Sequence, residues 1–102
     1  GAEKKTADGT LPFSAERIGF APTAAELLCI KPAENGKGLI LRFINPTETP
    51  QLLSITLPAA CTQAWRCDAC EHKQEKLCLT GGRLERSLSA HELLTLRLEE
   101  GG

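Results

Sequence analysis

The chain has no tyrosine and no methionine, and its aromatic residues are one tryptophan and three phenylalanines. Sugar-binding β-sandwiches usually stack their ligand on an aromatic platform, and Trp65 alone is poor material for one. Trp65 is expected to anchor the core instead, given the area such a side chain buries. An excess of one charge is also missing: 12 Lys and Arg against 13 Asp and Glu leave a net charge of -1. Phosphate binding needs clustered Lys and Arg, so neither nucleic acid nor an anionic membrane is an expected partner. No apolar run approaches the roughly 20 residues that span a bilayer. There is no G-x-S-x-G, no phosphate-cradling glycine loop and no H-E-x-x-H.

What is present is a short, punctuated apolar alternation. In 39–44, Leu39, Leu41 and Phe43 fall on one face and Ile40, Arg42 and Ile44 on the other. Asn45 and Pro46 stop that strand, because proline cannot donate to a sheet ladder. Leu53, Ile55 and Leu57 repeat the pattern, as do Leu94, Leu96 and Leu98. Weaker strands are expected over 13–20, 26–31, 63–68 and 83–88. Ala33 to Gly38, with Asn35-Gly36, reads as a hairpin loop, and Thr80-Gly81-Gly82 as a turn. One helical turn capped by Thr23 fits 21–28. About seven short strands at this spacing predict an all-β fold, an immunoglobulin-like antiparallel β-sandwich. Residues 11–99 are expected to form it, with 1–10 an expression scar and flexible linker and 100–102 a tail. Gly1 at the start and the lack of Met fit a fragment whose natural start lies upstream.

Five cysteines, Cys29, Cys61, Cys67, Cys70 and Cys78, are too odd a number for a complete disulfide framework. Reduced thiols in a cytoplasmic protein are the expected state. Cys67-Asp68-Ala69-Cys70 with His72 has zinc-ligand chemistry, and Cys61 or Cys78 would complete a tetrahedron. Only one C-x-x-C pair exists, with Cys67 at a strand end and Cys78 in another strand, so packed thiols are the stronger expectation. A redox use would need a helix opening beside a parallel sheet, which nothing here offers. Glu34, Glu48, Asp68, Glu71 and Glu92 are carboxylates available for glycoside hydrolysis, but each falls in a loop or at a strand end, where charge is ordinary. His91-Glu92 reads as a solvated turn.

Lys31-x-Ala33-Glu34-x-Gly36-x-Gly38-Leu39-Ile40-Leu41-Arg42-x-x-Asn45 resembles a stretch in the C-terminal β-sandwich of glycoside hydrolase family 38. That family contains α-mannosidases and bacterial mannosylglycerate hydrolases. Asp68-x-x-Glu71 and Glu92-Leu93-x-Thr95-Leu96-Arg97-Leu98 are similar to later pieces of the same sandwich. The resemblance runs in order from Phe13 to Leu98. It implies that the nucleophilic aspartate, the acid/base carboxylate and a zinc held by His and Asp lie in a separate N-terminal domain of the parent. It also implies a retaining, covalent hydrolysis of α-linked mannose by that parent, with this piece as a scaffold.

No catalytic, cofactor-binding or metal residue is therefore expected here. The expected partners are the preceding domains of the same chain, because Ile40, Ile44, Leu52 and Leu93 are apolar on faces turned from the core. Self-association of the isolated fragment would serve the same surface. The alternatives are a free-standing carbohydrate-binding sandwich, or a small zinc protein using Cys61, Cys67, Cys70, His72 and Cys78.

Overall fold

The computed structural model describes residues 17–34 and 36–100. Among the described residues there are eight strands: β1 (Gly19–Phe20), β2 (Glu26–Pro32), β3 (Leu39–Ile44), β4 (Gln51–Thr56), β5 (Cys61–Cys67), β6 (Lys73–Leu77), β7 (Arg83–Leu88) and β8 (Leu93–Glu100). They form a three-stranded sheet, order β1-β4-β7, and a five-stranded sheet, order β2-β3-β8-β5-β6. Every pairing is antiparallel. The expected β-sandwich is the observed one.

Alternation places the core between the sheets. Leu39, Leu41 and Phe43 stand directly opposite Leu98, Leu96 and Leu94. Leu53, Ile55, Leu57, Leu84 and Leu88 face them from the three-stranded sheet. Each such side chain stabilises the fold by about 1.5–3 kcal/mol relative to leaving it exposed. One flank closes differently. Arg66 pairs with Glu75 at 3.0 Å, and Arg86 of β7 approaches the same carboxylate at 3.8 Å, tying the free edges β6 and β7 together.

One end of the sandwich gathers the β3–β4, β5–β6 and β7–β8 connections. Asn45, with no exposed surface, organises two of them. Its Nδ2 donates to the carbonyls of Thr49 (2.8 Å), Leu88 (3.1 Å) and Ser89 (2.9 Å). Its Oδ1 accepts from the amide and hydroxyl of Thr47 at 2.9 and 2.7 Å. Arg17 and Glu100, the two ends of the described chain, lie at the opposite end with the β2–β3 hairpin. That hairpin carries Gly36 at φ 74°. The turn Thr80-Gly81-Gly82 has both glycines at positive φ, the geometry of the two-residue hairpin turn its composition predicts.

Several expectations change. The strand over 13–20 is only Gly19–Phe20 within the described residues, and 13–16 lie outside them, as do the linker 1–10, Asn35 and 101–102. The turn of helix over 21–28 is absent, because Glu26 already pairs with Ile44. Thr23 Oγ1 does accept the Ala25 amide (3.3 Å), so the capping chemistry serves a bend instead. β6, Lys-Gln-Glu-Lys-Leu, was not expected: it has no apolar alternation, and only Leu77 packs against the core. Cys78 lies just past that strand and is exposed, not within a strand. Trp65 is not a core anchor; Ala64 takes the inward position and Trp65 is half-buried on the outer face.

Candidate functional site

The most structured polar region is the outer face of the five-stranded sheet, and its β5–β6 turn folds back over it. Asp68 builds that turn. Its Oδ1 accepts the amides of Cys70 and His72, both at 2.9 Å, and its Oδ2 lies 3.2 Å from His72 Nδ1. Short Asp side chains favour this local bonding over a sheet ladder. The His72 amide, with that of Cys70, holds the Asp68 carboxyl below its ordinary value. Glu71 closes the turn at φ 70°, a conformation glycine usually supplies.

That backbone geometry lays the Glu71 carboxylate across the sheet, 2.6 Å from Lys31 Nζ and 2.9 Å from Arg42. Arg42 also donates to Thr95 Oγ1 (3.1 Å) and Ala69 O (3.4 Å). The Lys31 hydrogen bond, ahead of the charge of Lys31 and Arg42, holds Glu71 below the usual glutamate range against the effect of burial. Beside it, Glu99 pairs with Arg97 and with Lys73 (3.1 Å). Burial disfavours ionised Glu99, but those two bonds outweigh it and its pKa falls. Lys73 Nζ then lies 4.4 Å and Lys76 Nζ 5.7 Å from the Trp65 ring centroid. An open depression of about 490 Å³ remains among Lys37, Glu71, His72, Lys73, Arg97 and Glu99.

These charged groups cover the face. Ile40 on this outer surface is fully buried, and Thr95 and Arg97 nearly so. The expectation that Ile40 needs a neighbouring domain to cover it is therefore corrected: the chain covers it itself. Arg97 crosses so closely over Gly38 that a Cβ there would sit 3.1 Å from Leu98 O and 3.2 Å from Arg97 Nε.

The five metal-ligand candidates do not converge. Cys61 and Cys67 occupy opposite ends of the seven-residue β5, about 20 Å apart at the usual strand rise. Both thiols are buried, and burial pushes both pKa values up, away from the thiolate that binds metal. Cys70 and Cys78 are exposed; Cys78 borders Thr80, Arg83 and Glu85, away from the turn that holds Cys70 and His72. Among the described residues no group of three or more His, Cys, Asp or Glu is placed to hold a metal ion.

The carboxylates are likewise committed. Glu92 Oε1 accepts the Ser89 amide (2.8 Å), Glu48 meets His91 (3.1 Å), and Glu34 is exposed in the β2–β3 hairpin. A glycosidase general acid needs a raised pKa. The pKa values of Asp68, Glu71 and Glu99 move the other way, down. The roles of Asn45 and Arg97 were not anticipated from sequence; both sit inside the motif stretches, but nothing in those stretches says what they bond.

The fold and the site together define an antiparallel β-sandwich domain whose conspicuous polar residues serve its own turns and faces. The chain belongs to the glycosyl hydrolases family 38 C-terminal beta sandwich domain family, whose model matches residues 24–96. No curated protein and no solved structure matches it. The zinc that the family resemblance implies does not fit the residues described here, since no three ligands meet, and no chemical step is assigned through it.

Proposed function

We propose that this chain is the non-catalytic end domain of an α-mannosidase-type glycoside hydrolase, and that its parent cleaves α-mannosidic bonds by a retaining mechanism in a separate, zinc-dependent domain. The match over 24–96 carries this reading. The fate of the motif residues supports it. Arg42, Asn45, Asp68, Glu71 and Glu92 are spent on a strap, a clamp and two turns, leaving none free to reach a sugar. A scaffold uses its charged residues this way. The five free thiols suit a reducing, cytoplasmic setting.

The carbohydrate-binding alternative gains nothing from Trp65, whose ring carries Lys73 and Lys76. The small-zinc-protein alternative is disfavoured by the dispersal of its five ligands. The test is an assay with an aryl α-mannoside. The full-length parent is expected to turn it over, and the 102-residue chain to leave it intact. Turnover by the pure chain, or an inert parent, overturns the reading.

A further inference from the structure

We propose that the charged group Arg66, Glu75 and Arg86 keeps the sandwich monomeric by blocking the free edge of β7, the edge otherwise best shaped to pair with a second copy of this chain. This role is independent of what the parent hydrolyses.

Among the described residues the free strand edges are not equally open. β1 has only two residues. β2 is interrupted by a bulge between Leu27 and Cys29 and ends on Pro32. β6 is Lys-Gln-Glu-Lys-Leu, and its pairing with β5 shifts register between Arg66 and Cys67. β7 is different. Its six residues pair with β4 in unbroken register and include no proline. The Thr80–Arg83 bridge occupies only its first residue. Positions 84–88 therefore offer a straight row of backbone donors and acceptors, and nothing in the shape of that row stops another strand from adding to it.

The side chains do. Leu84, Arg86 and Leu88 share the inner face of β7, with Arg86 directly opposite Leu53. The three-stranded sheet starts over β3, where the Phe20 ring lies 6.1 Å from that of Phe43, and reaches β6 at Arg86. A strand added to β7 would continue that sheet across the inner side of β6. The side chain it meets there is Glu75, which stands opposite Arg66. Glu75 lies 3.0 Å from Arg66 Nε and 3.8 Å from Arg86, and the three side chains keep between 27% and 49% of their surface in water. Covering them would strip that water from two guanidinium groups and one carboxylate, with no anion to match the second cation. A copy of β7 is the worst occupant. Antiparallel pairing about the middle of 84–88 sets Arg86 opposite Arg86, and like charges directly opposite repel.

Stability does not account for the group. Arg86 Nε is buried and makes no hydrogen bond among the described residues, which marks a charge held at a cost. An apolar residue there would simply continue the row of Leu84 and Leu88. What the charge supplies instead is an edge that resists being covered.

The test uses the 102-residue chain in four forms: wild type, Arg86→Met, the triple variant Arg66→Met, Glu75→Leu and Arg86→Met, and the control Glu85→Met. Glu85 is exposed on the outer face of the same strand, so the control adds equal greasiness outside the blocked edge. Sedimentation and amide exchange are followed as protein concentration rises. Wild type and control should remain monomers. Arg86→Met should form a concentration-dependent dimer, the triple variant a tighter one, and exchange over 84–88 should slow as the dimer forms. If the triple variant fails to fold, Arg86→Met, which retains the Arg66–Glu75 pair, decides alone. Monomeric variants overturn the proposal. So does association that leaves exchange over 84–88 unchanged, because the contact is then elsewhere. A control that dimerises equally well, or a wild type that dimerises through β7, overturns it too.

Discussion

The two faces of the five-stranded sheet are built from the same strands and are buried by different physics. The inner face is leucine against leucine, with Leu39, Leu41, Leu96 and Leu98 fully excluded from water. The outer face reaches comparable burial at Ile40 and Arg97 by laying ion pairs and a folded-back turn across it. Apolar burial is non-directional and tolerates small shifts, whereas the outer layer depends on a few atoms at fixed positions. The inner face should therefore dominate stability, and the outer face should make stability depend on pH and salt.

The largest effect should come from inside. Leu96→Ala is expected to cost about 3–4 kcal/mol, since Leu96 is wholly buried and truncation adds a cavity to the lost transfer energy. That is roughly 15 °C in thermal midpoint for a domain of this size. An outer-face truncation of equal cost would break the contrast. Next is Asn45→Ala, which strips partners from the carbonyls of Thr49, Leu88 and Ser89. A loss of about 2–3 kcal/mol in urea unfolding is expected, from leaving buried acceptors unpaired.

Glu71→Gln removes two ion pairs that each keep one side chain partly in solvent, so about 1 kcal/mol is expected. High salt should shrink that difference while leaving the Leu96→Ala cost in place. The pH dependence follows the same groups. Folding lowers the pKa of Glu71 and Glu99. Their contribution is therefore complete above the ordinary glutamate value near 4.3 and is lost as pH falls through the lower folded values. Thermal midpoints from pH 6 down to 3 should show a steeper acid decline in the wild type than in Glu71→Gln. Identical acid limbs would disprove the role of the strap. The smallest effect belongs to Lys73→Ala, about 0.5 kcal/mol for a lost cation–π contact. Its clearer readout is Trp65 emission, which should shift to the red as the ring is uncovered.

The contrast between the faces also marks what sequence could convey. Alternation along β3, β4 and β8 identified the inner set by residue, because a period of two fixes which side chains share a face. The order of the Lys31 to Asn45, Asp68-x-x-Glu71 and Glu92 to Leu98 stretches carried the family. What covers a face depends on which turn folds over it, and that is a matter of three-dimensional neighbourhood. Ile40 thus looked like a surface awaiting a partner, when Arg97 lies beside it in register. β6 left no periodic trace because its inward position opposite Arg66 is the charged Glu75, leaving Leu77 as its one apolar residue. The C-x-x-C pair suggested metal chemistry through spacing alone, and the strand between Cys61 and Cys67 holds the other thiol far away.

The Glu71 strap has a kinetic consequence. Its bond to Arg42 links residues 29 apart along the chain and ties the β5–β6 turn to β3, a strand the turn does not follow in sequence. Closing a loop of that length costs entropy that one partly exposed ion pair does not repay by itself, so the strap is expected to form late in folding. Breaking the strap should then accelerate unfolding several-fold while refolding proceeds at nearly its original speed, so that one carboxylate lengthens the native state's lifetime without hastening its formation.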